Sequence, residues 1–235
     1  MPPSIEQRAA VHAALGEPIR LAIVDELIRS DRSPSELAAR FCLPTNLLAH
    51  HLGVLERVGV IERTVSSGDR RKRYVRAVPA AVATPGRVDP DLAHAHAAAD
   101  RRSALFVCTH NSARSQLAAA IWRSHTGGAA SSAGTHPADR VHPGAIAAGR
   151  RRGLDLGGAT PRRLDDAEVA AADLVVTVCD RAHEEIDLPD HSLHWSVPDP
   201  VSADGPDAFD RAADALEHRI RAFVLPNPTP NPTAS

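Results

Sequence analysis

Aromatic residues are scarce in this chain, lysine occurs once, and long apolar runs are missing. Phe, Trp and Tyr together make up 3% of the 235 residues. That excludes RNA-binding modules that stack bases on aromatic rings. Lys72 is the single lysine, so the positive charge rests on arginine. No apolar run reaches the roughly 18 residues a membrane-spanning helix needs. Met1 to Ala14 carries Glu6, Arg8 and His12 without an apolar core, so a secretory signal is not expected. Three cysteines, Cys42, Cys108 and Cys179, are too few for a disulfide framework. They fit a reducing cytoplasm, where a single cysteine can serve as a nucleophile. Charge of one sign is missing too: 27 basic against 29 acidic side chains give −2, which excludes a histone-like polycation.

What is present supports folding. Apolar residues make up 43% and charged residues 24%, which argues against wholesale disorder. The length fits two modest domains. Residues 80–102 are broken by Pro and Gly and then rich in alanine, and read as a linker. The proline-rich stretch 226–235 reads as a disordered tail. Charge splits between the halves. Residues 1–78 hold 12 basic and 9 acidic side chains, so +3, and the remainder holds 15 and 20, so −5.

The first half is helical, then stranded. Apolar spacing predicts helices over Ile5–Leu15 and from Pro18 through Ile28. Ser33-Pro34-Ser35-Glu36 is a capping box that opens a short helix through Phe41. Thr45 opens another, with Leu48, Leu52 and Leu55 on one face and an end near Gly59. Val60–Val65 and Lys72–Val78 read as strands around Ser66-Ser67-Gly68-Asp69. Two helices around a tight turn, followed by a hairpin, form a winged helix-turn-helix, an α+β domain over residues 1–79. Its second helix offers Thr45, Asn46, Ala49 and His50 to base edges in a major groove. The hairpin offers Arg70, Arg71, Lys72 and Arg73 to phosphates or a minor groove.

The stretch P-S-E-L-A-A-R-F-C-L-P-T-N-L-L-A-H-H-L-G-V-L-E-R-V-G-V-I with its basic hairpin resembles the ArsR-type winged-helix repressors over about residues 4–78. His51-Leu52 and the Leu55, Gly59, Ile61 spacing carry the match. The resemblance implies a homodimer, formed through this domain, on double-stranded operator DNA. Ala49 stands where the family usually has serine, and the family's cysteine pair is reduced to Cys42. One thiolate cannot supply three-coordinate binding of a soft metalloid. Cys42 is therefore expected to be a small buried packing residue. Adjacent helix positions diverge, so His50 should face DNA and His51 the core.

In the second half an apolar strand, Ser103 to Cys108, runs into Thr109-His110-Asn111-Ser112-Ala113-Arg114-Ser115 and then a helix expected to be amphipathic over Gln116–Trp122. This is C-x5-R-S set strand–loop–helix. A five-residue loop at a helix N-terminus turns its N–H groups inward as an anion cradle. Arg114 can grip two oxygens of a tetrahedral oxyanion. The same positive field favours the Cys108 thiolate, and Ser115 can hydrogen-bond it. Downstream, strands over 129–133, 173–179 and 193–195 alternate with helices over 143–152 and 207–224. That predicts an α/β domain over 103–225 with a doubly wound parallel sheet of about four strands. Its ligand site belongs at the carboxyl ends of the strands.

This half resembles the low-molecular-weight protein tyrosine phosphatase superfamily, and within it the arsenate reductases. V-C-T-H-N-S-A-R-S-Q, S-A-G-T-H at 132–136, D-L-V-V-T-V-C at 173–179 and H-W-S-V-P-D-P at 194–200 carry the match. The resemblance implies Cys108 as nucleophile, Arg114 as oxyanion clamp, Asp199 as general acid and Cys179 as second redox cysteine. No cysteine follows Cys179; the family's third would fall near Ile186. The carboxylates that help those reductases hold potassium are replaced at Ala119 and Arg162, while Asn111 and Ser132 remain. Asp199-Pro200-Val201 lacks the tyrosine that follows in the tyrosine phosphatases. The expected protein is a cytoplasmic regulator fused to a reductase of arsenate. It needs no tightly bound cofactor, and thioredoxin or a low-molecular-weight thiol serves as donor. A sensor of arsenate or phosphate without turnover, or a phosphatase, stays open as an alternative.

Overall fold

The computed structural model describes residues 4–78, 81, 103–203, 205 and 207–224. The expected linker, apart from Ala81, and the expected tail lie outside the described residues. The chain divides into two compact units.

The first unit begins with α1 (Ile5–Leu15) and α2 (Pro18–Arg29). α3 (Pro34–Arg40) opens on the expected capping box: Ser33 Oγ accepts from Glu36 N–H while the Glu36 side chain accepts from Ser33 N–H. α4 (Thr45–Arg57) buries Leu48, His51, Leu52 and Leu55. Gly59 follows it with a φ of +74°, a left-handed stop where a side chain is strained. β1 (Ile61–Val65) and β2 (Arg73–Ala77) pair antiparallel from Ile61↔Ala77 to Val65↔Arg73. Leu37, Leu48, Leu52 and Leu55 close over Ile23, Val24 and Leu27 to form the core. Beside it the buried Glu26 carboxylate takes Arg32 at 2.8 Å and Arg40 at 2.9 Å. A buried carboxylate is tolerated because both oxygens are paired.

Cys42 departs from expectation. It is exposed, with a φ of +51°, just beyond the end of α3. Its N–H donates to Ala39 O and that of Leu43 to Ala38 O, a left-handed helix stop. The turn swings its side chain out, and Leu37 supplies the packing instead.

The second unit is a four-stranded parallel sheet in the order β4-β3-β5-β6. The strands are β3 (Ala104–Cys108), β4 (Ala130–Gly134), β5 (Leu174–Thr177) and β6 (Leu193–His194). Every residue of β3 and β5 is buried, as parallel strands covered on both faces require. The helices are α5 (Arg114–Thr126), α6 (Pro143–Arg151), α7 (Asp166–Ala171), α8 (Asp180–Glu185) and α9 (Ala208–Val224). α7 and α8 were not expected from the sequence. α5 also differs: it is not amphipathic over its first two turns, because every residue from Arg114 to Trp122 is buried. It packs on β3 and β4 and is covered by α9 and α6. Alanines at 118–120 allow that close approach, and Trp122 packs with Phe106 and Phe223.

Candidate active site

Cys108 ends β3, and the loop after it is shaped by what its carbonyls do. N–H groups of Thr135, His136, Ala138 and His142 take the carbonyls of Cys108, Thr109, His110 and Ser112 at 2.8–3.2 Å. Carbonyls held outward leave the loop's N–H groups for its interior, as an anion cradle requires. Asn111 N–H donates to Cys108 Sγ at 3.2 Å, from a backbone with a φ of +49°. Gly134 makes the close fit possible. A Cβ there would lie 2.8 Å from Thr109 O and 3.0 Å from Asn111 Cβ.

The Asn111 side chain fixes the rest. Its amide donates to Ser115 Oγ at 2.8 Å and Ser132 Oγ at 2.9 Å. Its oxygen accepts from Gln116 Nε2 at 3.1 Å and Arg162 N–H at 3.0 Å. Ser115 Oγ lies 3.0 Å from Cys108 Sγ. With a lone pair given to Asn111, its hydrogen is free to point at the sulfur. The potassium site implied by the resemblance does not fit these residues. Asn111 is saturated by protein partners, Ala119 has no donor atom, and Arg162 adds a positive charge paired with Glu168.

Arg114, the first residue of α5, is buried. It donates to Val197 O at 2.9 Å and lies 3.4 Å from Asp199. Asp199 is held in turn by Val201 N–H at 3.3 Å and Ser202 Oγ at 3.0 Å. Within the loop Thr109, Asn111 and Ala113 are buried, Ser112 is half-buried and His110 is exposed.

Cys179 lies just beyond β5, the strand beside β3, and is 1% exposed. Its sulfur caps α8 by accepting from Ala182 N–H at 3.4 Å and lies 3.4 Å from Thr109 Oγ1. Burial pushes this thiol's pKa up; Arg114 opposes the shift and Cys108 adds to it. Both thiols thus sit at the carboxyl ends of adjacent strands.

Three groups escaped the sequence. Glu185 accepts from Thr135 Oγ1 at 3.0 Å, His136 Nε2 lies 3.2 Å away, and Arg181 donates at 2.8 Å. Asp180 and His194 form a buried pair behind Cys179. In the first unit Leu47 is exposed on α4 beside the expected Thr45, Asn46, Ala49 and His50, all exposed. An apolar residue outside the Leu48, Leu52, Leu55 stripe was the signal for it. His51 is buried, 3.5 Å from Glu17, as expected. Arg70, Arg71, Lys72 and Arg73 are exposed on the hairpin, and Arg73 braces it by donating to Arg70 O at 3.0 Å.

Known proteins align with both units. Residues 15–64 match a helix-turn-helix domain, and residues 103–227 match the low molecular weight phosphotyrosine protein phosphatases. An arsenate reductase of Brevibacillus brevis is 34% identical over 130 residues, spanning 53% of this chain and 96% of that protein. One from Bacillus licheniformis is 33% identical over 134 residues, with the same shares. Among solved structures, a thioredoxin-dependent arsenate reductase of Corynebacterium glutamicum aligns at 27% identity and a TM-score of 0.44, covering 56% of this chain and 67% of that one. With a matching family over more than half its length and a helix-turn-helix domain ahead of it, the chain belongs to the low molecular weight phosphotyrosine protein phosphatase family.

Proposed function

We propose that the protein is a DNA-binding regulator whose second domain reduces arsenate to arsenite. The observation that carries the reductase reading is the pair of buried thiols: Cys108 in its N–H-lined loop, with Asn111 N–H on its sulfur, and Cys179 on the neighbouring strand end, beside Thr109 of the same loop. A phosphatase needs only the first.

Cys108 thiolate attacks arsenic while Arg114 and the loop N–H groups of Thr109 to Ala113 hold the oxygens. Asp199 gives its proton to the departing oxygen, which leaves as water. Cys179 then attacks Cys108 Sγ. The new S–S bond forms as the S–As bond breaks, and its electron pair stays on arsenic. Arsenic goes from As(V) to As(III), two thiols become one disulfide, and arsenite departs. No cysteine follows Cys179, so an external dithiol or small thiol attacks that disulfide directly. The first domain binds operator DNA as a homodimer, with α4 in the major groove and the arginine hairpin on phosphates.

Arsenate-dependent oxidation of thioredoxin or of a small thiol by the purified chain tests the chemistry. Turnover lost in Cys108→Ser and strongly reduced in Cys179→Ser is expected. Indifference to Cys179→Ser removes the relay. Aryl phosphate hydrolysis far above arsenate turnover makes the domain a phosphatase. Arsenate-driven DNA release that survives Cys108→Ser makes it a sensor without turnover.

A further inference from the structure

The turn that carries Cys179 is anchored from beneath by groups the reaction does not use. Asp180 follows the thiol directly as the first residue of α8 and is 3% exposed. Its Oδ1 lies 3.1 Å from Nε2 of His194, which is fully buried. The other ring nitrogen of His194 lies 2.9 Å from Oγ1 of Thr177, the last residue of β5. His183, one turn along α8, stacks on His194 at 4.1 Å with rings 9° apart. Its Nδ1 also reaches Thr177 Oγ1, at 3.2 Å. The ends of β5 and β6 therefore grip α8 at residues 180 and 183. Asp180 titrates at about 2: burial works against its charge, but hydrogen bonds with His194 and Ser196 outweigh that.

A buried carboxylate–imidazole pair is an expensive way to hold a six-residue helix, since well-packed apolar groups do so without desolvating a charge. What it adds is direction. Two hydrogen bonds along one line fix where residue 180 sits, and the neighbouring sulfur cannot drift from it. Attack on Cys108 needs sulfur in line with the S–As bond, and a displacement of about 1 Å costs on the order of 100-fold.

We propose that Asp180 and His194, seated on Thr177, are positioning residues that hold the Cys179 thiol for its attack on Cys108. The proposal rests on the reductase reading. It predicts that arsenate reduction depends on the pair, whereas phosphoester hydrolysis at Cys108 does not, because hydrolysis replaces the second thiol with water.

Asp180→Asn and His194→Gln test it in the full-length protein, with p-nitrophenyl phosphate as the hydrolytic probe. Asp180→Asn should lower arsenate turnover by about 30-fold and leave hydrolysis within about twofold. His194→Gln keeps an Nε2 donor and should recover most of the reduction. A third measurement needs no turnover: in Cys42→Ser/Cys108→Ser protein, Cys179 is the one remaining thiol. Asp180→Asn in that background should speed its alkylation by iodoacetamide by about tenfold or more, as local opening exposes it. Equal loss of reduction and hydrolysis, or an unchanged alkylation rate, overturns the proposal. If the unsubstituted protein reduces no arsenate, the reductase reading fails by itself, and the alkylation rates still decide whether the pair holds the thiol.

Discussion

α4 and α5 are both 13 residues long, and both lack what six other helices possess. The side chains of Ser4, Glu17, Ser33, His142, Asp165 and Cys179 each accept a backbone N–H at the start of their helices. α4 begins after Pro44 and α5 after Ala113, and neither residue can accept one. Unclaimed donors at a helix start attract an anion or a polar acceptor from outside. In α4 that end is exposed and the outside partner is DNA in our proposal. In α5 it is buried, and the partner we propose is a tetrahedral oxyanion small enough to enter the loop. On that proposal the same omission serves a polymer in one unit and a small ion in the other, with burial setting the size of the guest.

The comparison can be broken at either helix. Cys108→Ser removes the proposed nucleophile at the α5 end, and arsenate turnover should fall by at least ~10³-fold. Operator binding without arsenate should be unchanged in a mobility-shift assay. Cys179→Ser leaves the α5 end intact; about a 100-fold loss of reduction with hydrolysis retained would show that the cradle alone does not reduce arsenate. Asn46→Ala acts at the α4 end and should cost operator affinity about tenfold, within the range for one base contact, with turnover unaffected.

The capped helices carry the effects on stability. Asp180 titrates at about 2 in the folded chain, below the roughly 3.9 of an unfolded aspartate. Its charge therefore stabilises the fold above pH ~4, and that contribution, about 2 kcal/mol, is lost as pH falls toward 2. Acid unfolding of Asp180→Asn should start from a lower stability and show a flatter limb across that window. Ser33→Ala opens the α3 capping box and should cost about 1 kcal/mol in urea unfolding. Arsenate turnover of the folded fraction should not change.

Much of this was readable in advance because the signals were local. The capping box at Ser33 and Glu36 and the leucine stripe of α4 depend on residues three or four apart. The strand, loop and helix around Cys108 follow one another without a break. What escaped the sequence depends on distant partners. α7 and α8 have six residues each, too few to show a period. The cap of α8 is a cysteine sulfur, which is not among the preferred capping groups. The continuous burial of α5 comes from α9, almost a hundred residues later, so the helix read as one-sided. His194 opens the H-W-S-V-P-D-P match and Asp180 directly follows Cys179, yet only the pairing of β5 with β6 brings the two together. Cys42 was misread because free cysteine is usually buried; the left-handed turn at the end of α3 outweighed that tendency.

Gly134 shows how far the demands of the site reach. It pairs with Cys108 across the sheet, and the loop after that residue is pressed against its bare Cα. In a saturation mutagenesis map scored for arsenate reduction, this position at the end of β4 would tolerate as little change as Cys108. Its intolerance would be steric rather than chemical: alanine, the mildest replacement available, would already be too large.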